Sequence, residues 1–244
     1  MYLKQFETAF DFPIYKGKPQ TFLIANTPRS GSHLLGHSLS ETRQHGVPLE
    51  YFNPANVVYW YERFGVSTTQ ELIPFLFKYR TSRNGYFGVK ADWGQYKNLC
   101  NTIHFDSLNF TKIVWIQRNN LLKQAVSYAI AKQTRQWISA MPKQGEAEYD
   151  YSEIVKCARK IRNWNQNWKS HFETTSVPVL QTKYEDIIGN PQQELEKIAK
   201  FINPEHKGMI DLTKQTLKQT GKLNHDWISH FRKEMRPRHR WIEN

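Results

Sequence analysis

The chain has 244 residues, enough for one sizeable domain with its own hydrophobic core. Its 34 Lys and Arg residues against 22 Asp and Glu residues give a net charge of +12, which indicates an anionic partner: nucleic acid, an acidic membrane surface or a phosphorylated small molecule. The only two cysteines, Cys100 and Cys157, lie in unrelated contexts, which excludes a disulfide framework and is typical of a reduced intracellular protein.

Membrane and export signals are missing from the sequence. No stretch reaches the roughly 20 apolar residues needed to cross a bilayer, and residues 1–10 lack the apolar core of a signal peptide. We therefore expect a soluble, cytoplasmic protein without a transmembrane segment. Part of the excess positive charge lies in a basic run at residues 231–240, which is either a solvated chain end or part of an anion-binding surface.

The first third of the chain predicts a lead-in followed by a strand and helices. Residues 1–20, which contain Pro13 and Pro19, form the predicted lead-in, and residues 21–244 form the predicted domain. A strand is expected at 21–26 and a helix from about Ser32 to Arg43. Residues 46–65 are aromatic and are expected to be irregular. The apolar spacing at 68–82 predicts a second helix.

The rest of the chain alternates strands and helices. Strands are predicted at 86–90, 112–117 and 177–184, and helices at about 120–134, at about 152–172 and from Pro191 to Ile202, the last with Asn190 as its N-cap. The aromatic stripe of the helix at 152–172 is expected to lie in the core. Strands that alternate with helices predict an α/β fold: a single domain with a mainly parallel central sheet flanked by helices.

The turn between the first strand and the first helix has the composition of an anion site. It contains Arg29, Ser30, Gly31 and Ser32, directly before the helix begins. A helix N-terminus presents unpaired N–H groups and the positive end of the helix dipole, and both favour a phosphate or sulfate. Gly31 lets the backbone approach the anion, while Arg29 and the two serines add donors. An N-capped turn without a ligand remains the alternative at this point.

Two well-known nucleotide motifs are excluded. A nucleoside triphosphatase loop needs G-x-x-x-x-G-K-[ST], but Gly-Lys occurs here only at 17–18 and 221–222, before Pro19 and Leu223. A dinucleotide site needs G-x-G-x-x-G, and the turn has a single glycine. Arg118 directly follows the strand at 112–117, and Ser127 lies on the next helix. Because ligands of parallel sheets bind at the carboxyl ends of the strands, Arg29 and Arg118 are expected to converge on one polyanion.

Six segments between residues 20 and 232 stand out together: Thr27-Pro-Arg-Ser-Gly-Ser32, Gly46-Val-Pro-Leu-Glu-Tyr-Phe52, Gly88-Val-Lys-Ala-Asp-Trp93, Arg118 to Trp137, Val179 to Asp186 and His225-Asp-Trp-Ile-Ser-His-Phe231. In residues and in order, they resemble the sulfotransferases that use 3′-phosphoadenosine 5′-phosphosulfate (PAPS), most closely the bacterial trehalose (Stf0-type) and lipopolysaccharide sulfotransferase branch. The resemblance implies a P-loop-like strand–loop–helix that binds the 5′-phosphosulfate.

The resemblance also implies roles on the donor side. The backbone of residues 29–33, with Arg29, Ser30, Gly31, Ser32 and His33, would hold the 5′-phosphosulfate, although His33 replaces the family's usual hydroxyl residue. The other implied contacts are the 3′-phosphate pair Arg118 and Ser127, the adenine-side Tyr184, and Lys222, which lacks the family's surrounding pattern. No metal is implied, because His33 and His37 have no third ligand in the sequence.

On the acceptor side, Glu50 resembles the branch's general base, and Arg29 would stabilise the leaving group. Lys90, Tyr51, Phe52, Arg135 and Trp137 are the expected acceptor contacts, with core packing as the alternative for the rings. The implied reaction transfers a sulfuryl group from PAPS to a hydroxyl of a carbohydrate or glycolipid and leaves 3′-phosphoadenosine 5′-phosphate (PAP). Two alternatives stay open: a phosphotransferase with a non-standard loop, and a non-catalytic anion-binding module. No nucleic-acid partner is expected, and a homodimer remains open.

Overall fold

The computed structural model describes residues 3–103, 105–138, 141–212 and 221–243. Four parallel strands form one sheet in the order β2-β1-β3-β4. Their bounds are β1 (Gln20–Asn26), β2 (Tyr86–Asp92), β3 (Phe110–Gln117) and β4 (Val179–Lys183). Since β1 lies between β2 and β3, the chain changes direction across the sheet at β1. Such a reversal opens a crevice at the carboxyl ends of the strands.

Helices surround this sheet. They are α1 (Ser32–Glu41), α2 (Pro54–Phe64), α3 (Thr69–Arg80), α4 (Trp93–Thr102), α5 (Leu121–Thr134), α6 (Tyr151–Thr174), α7 (Tyr184–Gly189), α8 (Pro191–Ile202) and α9 (Lys222–Glu234). None of the described helices is long and apolar enough to cross a membrane. The predicted α/β class, with a parallel central sheet flanked by helices in one domain, is confirmed.

Strand β1 is buried on both faces, which explains its continuous apolar sequence. Phe22 and Ile24 pack with α1 and α8, whereas Leu23 and Ala25 face the aromatic core below α2, α3 and α6. A third apolar cluster joins α5, α6 and α9, and its members include Ile161 and Phe231. The stripe of α6 is therefore mainly core, as predicted: Trp168 is fully buried and its indole N–H donates to the carbonyl of Asn26 at 2.9 Å.

The prediction of irregular structure at residues 46–65 is wrong. Helix α2 occupies Pro54–Phe64 within that range. Asn53 is its N-cap and accepts a hydrogen bond from Ala55 N at 3.0 Å, while Pro54 takes the first helical position, where its missing N–H costs nothing. Local capping thus outweighs the weak helix propensity of the aromatic and β-branched residues that follow.

The lead-in packs onto the domain over the residues that are described, from Leu3 onward. Phe12 N donates to the Tyr79 carbonyl at 2.8 Å, and Asp11 forms an ion pair with the fully buried Arg80 at 2.9 Å. The side chain of Asn190 stands at the start of α8 as predicted, but it makes no hydrogen bond to the helix backbone. Cys100 and Cys157 are both free thiols.

Candidate functional site

The loop between β1 and α1, residues 27–31, leads into the site. Arg29 has a φ of 65° and Gly31 a φ of 94°, so the chain turns through two left-handed residues before α1 begins at Ser32. Gly31 has no Cβ, and an added one would overlap Cδ2 of Tyr184. The Tyr184 ring therefore rests directly on this loop. Only glycine satisfies both the backbone angle and the close approach.

Hydrogen bonds from α5 hold the loop in place. The side-chain nitrogen Nε2 of Gln124 donates to Thr27 Oγ1 at 3.0 Å and to the Pro28 carbonyl at 2.7 Å. Inside the loop, Ser30 Oγ is fully buried and has no hydrogen-bond partner among the described residues. A buried hydroxyl without a partner is costly unless a ligand or water completes it.

Arg29, Arg118 and Ser127 meet at this loop, although they come from three separate segments. Arg29 Nε donates to Ser127 Oγ at 2.9 Å, and Arg118 Nη1 approaches the Arg29 carbonyl at 3.4 Å. The guanidinium of Arg118 lies 5.0 Å from the centre of the Tyr184 ring, and its Nε lies 3.7 Å from Glu185 Oε1. The expected convergence of the two strand-end arginines is therefore observed.

The positive charges of Arg29 and Arg118 persist at neutral pH. Burial and the neighbouring Arg118 charge lower the pKa of Arg29 to about 10, and burial also lowers the pKa of Arg118 from its ordinary value. Both groups stay cationic at neutral pH. Two cations near a helix N-terminus and the buried hydroxyl of Ser30 form a donor set that suits an anion with several oxygens.

Glu50 lies beside the loop because its segment joins the sheet edge. Leu49 forms a parallel bridge with Val89, and Lys90 N donates to the Leu49 carbonyl at 2.9 Å. This bridge places Glu50 Oε1 3.0 Å from Lys90 Nζ and 3.8 Å from His33 Nε2. The predicted residues Glu50, Lys90 and His33 are therefore one cluster.

Two helix N-termini direct amide donors to the other oxygen of Glu50. Asn53 Nδ2 donates to Glu50 Oε2 at 2.8 Å, and Gln95 Nε2 donates to the same atom at 3.3 Å. The Asn53 oxygen caps α2, and the Gln95 oxygen belongs to the capping box of α4, so both amides are oriented by the helices they cap. Oε1 is thereby left to face Lys90 and His33.

The protonation states in this cluster follow from burial and charge. Burial alone would raise the pKa of Glu50, but the charge of Lys90 and the hydrogen bond from the Asn53 amide outweigh it and lower the pKa to about 2. Burial, then the Lys90 charge, holds the pKa of His33 well below its ordinary value. Glu50 is therefore a carboxylate and His33 a neutral imidazole at neutral pH. Burial also raises the pKa of nearby Asp92, the N-cap of α4, to about 6.

The expected acceptor residues separate into two groups. Trp137 is 38% exposed, and its carbonyl accepts a hydrogen bond from Arg29 Nη1. Arg135 is exposed beside it, at the end of α5. In contrast, Tyr51 is fully buried, stacks on Phe87 and donates to the Val47 carbonyl at 2.5 Å, and Phe52 is 5% exposed. The structure places these two rings in the core, so we assign them no acceptor contact.

The last predicted ligand residue stands apart from the others. Lys222 is exposed and begins α9. It has no hydrogen bond or ion pair with the β1–α1 loop among the described parts of the chain. Sequence reasoning gave no role to Asn53, Gln95, Gln124 or Asp92. Each of the four lies a few positions after a residue that sequence reasoning did select. The pair Asn53-Pro54 is a helix-start signal, and it could have identified Asn53 as a helix cap.

Comparison with known proteins identifies the family of the chain. The family model of the Stf0 sulphotransferases matches residues 21–234, a range that includes every residue named in this site. No curated protein matches the chain. A match over so much of the sequence shows the family. The chain therefore belongs to the Stf0 sulphotransferase family and is a sulfotransferase of the Stf0 type.

Proposed function

We propose that the enzyme takes its sulfuryl group from PAPS and delivers it to a hydroxyl of a carbohydrate or glycolipid. One observation carries this proposal: an ionised carboxylate, Glu50, lies next to a helix N-terminus on which two arginines converge. The carboxylate can accept a proton, and the helix N-terminus with its two arginines can bind a phosphosulfate. The reaction requires both in one place.

On the donor side, the β1–α1 loop and the first turn of α1 would hold the 5′-phosphosulfate. The buried Ser30 hydroxyl, which lacks a partner among the described residues, supports this fit. Arg118 and Ser127 would bind the 3′-phosphate, with Tyr184 against the adenine. When bound, PAPS supplies the sulfuryl group and PAP is its leaving group. Arg29 would stabilise the negative charge that grows on the departing phosphate.

On the acceptor side, Glu50 would accept the proton of the attacking hydroxyl through Oε1, since Oε2 already accepts two amide hydrogen bonds. With a pKa of about 2 the carboxylate is a weak base before ligands bind. A sulfonate beside Lys90 would offset the Lys90 charge and so raise the basicity of Glu50. Lys90 is thus expected to orient both the Glu50 carboxylate and the sulfonate.

The acceptor would enter beside Trp137 and Arg135. The exposed indole offers a flat face to a sugar ring, and Arg135 offers hydrogen-bond donors to its hydroxyls. Trp137 also contacts Arg29, so a sugar on this ring would lie at the edge of the proposed donor site.

Donor choice is tested by thermal shift with PAP, ATP plus Mg²⁺, or buffer. We expect PAP to raise Tm of the wild type and of Arg83→Ala, a control that removes an exposed arginine, and to lose most of this effect in Arg118→Ala. Stabilisation of the wild type by ATP and not by PAP would instead support a phosphotransferase. An equal PAP response in Arg118→Ala and Arg83→Ala would contradict the site assignment.

A further inference from the structure

A basic groove runs along the exposed face of α6. It consists of two cavities of about 330 and 310 Å³ that share Arg159 and Asn163. We call it the α6 groove. Its lining contains four cations and no carboxylate: Lys156, Arg159, Lys160, Arg162, Asn163, Trp164, Gln166 and Trp241. Both cavities are shallow and open to solvent, so a ligand there would be contacted from one side.

The spacing of these cations costs helix stability. Lys156 and Arg159, and likewise Arg159 and Arg162, are three residues apart, and like charges at this spacing repel on a helix surface. Neither Arg159 nor Arg162 has an ion pair with a carboxylate in the described part of the chain, and Lys156 lies 4.0 Å from Glu153, which also binds Lys132. An anionic ligand in the groove would relieve this repulsion.

Aromatic rings accompany the cations at both ends of the groove. Lys160 Nζ lies 4.3 Å from the centre of the Trp164 ring, and the Arg162 guanidinium lies 5.0 Å from that of Trp241. Trp241 belongs to the 3₁₀ helix Pro237–Ile242, which overlaps the end of the basic run at 231–240, so this part of the chain packs against α6 and completes the groove. Flat rings beside cations suit a ligand with both apolar ring faces and negative groups, such as an acidic sugar.

Side-chain contacts connect the lining of the groove to the site described above. Lys160 Nζ donates to the Tyr128 hydroxyl at 3.1 Å, and the Tyr128 ring lies 6.1 Å from the ring of Trp137. On its other side, the Trp164 ring lies so close to Gly94 that an added Cβ would approach it to 3.3 Å. Gly94 precedes Gln95, which binds Glu50. A chain molecule in the groove would thus lie beside residues that contact the neighbours of Arg29 and Glu50.

We propose that the α6 groove binds acidic units of an oligosaccharide acceptor, whose carboxylate, sulfate or phosphate groups contact Arg159, Arg162, Lys156 and Lys160. This inference rests on the proposed function, since it extends the proposed acceptor site. It limits the acceptor class to anionic glycans. The hydroxyl that accepts the sulfuryl group would belong either to a neutral sugar unit at Trp137 or to an acidic unit nearby.

The test is calorimetric binding of three probes: tetragalacturonate, the neutral maltotetraose of equal length, and a single-stranded oligothymidylate. The proteins are the full-length wild type, Arg159→Gln/Arg162→Gln, and the control Lys16→Gln/Lys18→Gln, which removes the same charge from exposed positions of the lead-in. We expect the wild type and the control to bind tetragalacturonate about tenfold or more tightly than maltotetraose, and the groove variant to lose this preference.

Three results would overturn the proposal: equal affinity of the wild type for the acidic and neutral tetrasaccharides, equal losses in the groove and control variants, or a stronger affinity for oligothymidylate that the groove variant loses. The rise in Tm with PAP, measured on the same proteins, is expected to be unchanged. Failure of PAP to stabilise the wild type would contradict the proposed function, whereas a wild type that PAP stabilises but that does not prefer tetragalacturonate would contradict only the groove proposal.

Discussion

Lys90 Nζ lies 3.0 Å from Glu50 Oε1, and the two residues meet because Leu49 bridges Val89 on the edge of the sheet. Lys90 is 2% exposed, so its charge depends on this carboxylate. Removing one partner of a buried pair leaves an uncompensated charge, which costs more than replacing both partners.

A double-mutant cycle tests this coupling. Glu50→Gln is expected to lower the free energy of unfolding by about 3 kcal/mol, because Lys90 is left buried without its partner. Glu50→Gln/Lys90→Met is expected to lose less than Glu50→Gln alone. Urea unfolding of the wild type, both single variants and the double variant measures the coupling. Additive losses from the two single changes would show that the pair is not coupled.

Asn53 has two functions that different substitutions separate. Asn53→Ala removes the cap of α2 and the donor to Glu50, so it should lower the free energy of unfolding by about 1 kcal/mol. Asn53→Ser keeps a capping oxygen and removes only the donor, so it should retain most of the stability. Both variants are expected to lower kcat about tenfold, since a hydrogen bond to a charged group is lost.

The readout that identifies Asn53 as a positioning residue is the pH dependence of kcat. Without the amide donor the pKa of Glu50 should rise, and the acid limb of the profile should move to higher pH in both variants. A loss of activity in Asn53→Ala that Asn53→Ser does not share would assign the residue to helix stability alone.

Gly31 and Gly65 form a matched pair. Both have positive φ, 94° and 64°, but an added Cβ meets the Tyr184 ring only at Gly31 and nothing within 4 Å at Gly65. Gly65→Ala should therefore cost only backbone strain, about 1 kcal/mol. Gly31→Ala should lower Tm further and weaken PAP binding, since the Tyr184 ring must move. Equal changes in Tm and in PAP affinity for the two variants would contradict the packing of Tyr184 on the loop.

Asp92 gives a pH dependence of known sign. Burial raises its pKa from the ordinary 3.8 to about 6, so the folded protein binds this proton more tightly than the unfolded chain. The associated stability is complete below pH 3.8 and is lost as the pH rises through 6. Asp92→Asn keeps a good N-cap and has no charge. The difference in Tm, variant minus wild type, is thus expected to grow between pH 4 and pH 7; a constant difference would contradict a raised pKa.

Local sequence patterns predicted the sheet and the helices α1 and α5, which carry site residues, but not α2, α4, α7 or α9. The strand ends at Arg29 and Arg118 follow from apolar runs and the geometry of parallel sheets, and the structure brings these arginines together. Helix α2 was missed because its aromatic sequence concealed the Asn53-Pro54 start. The same Asn-Pro signal had correctly indicated the start of α8 at Asn190-Pro191.

Two features of the site depend on tertiary contacts and could not be predicted from the sequence. The approach of Glu50 to Lys90 depends on a bridge between distant residues, and no local pattern contains it. The burial of Tyr51 depends on Phe87 and Val47, which form its pocket only in the folded chain. Aromatic residues next to a proposed catalytic residue are as easily core residues as ligand contacts, and packing alone distinguishes the two.

The most direct test of the central claim is transfer of ³⁵S-labelled sulfuryl from PAPS to sugar hydroxyls, with trehalose, maltotetraose and tetragalacturonate as acceptors. We expect the wild type and Glu62→Gln, an exposed control, to form labelled sugar and an equal amount of PAP. Glu50→Gln should be about 10² to 10⁴ times slower while PAP still raises its Tm. Equal rates of labelled-sugar formation for Glu50→Gln and the wild type would contradict the account.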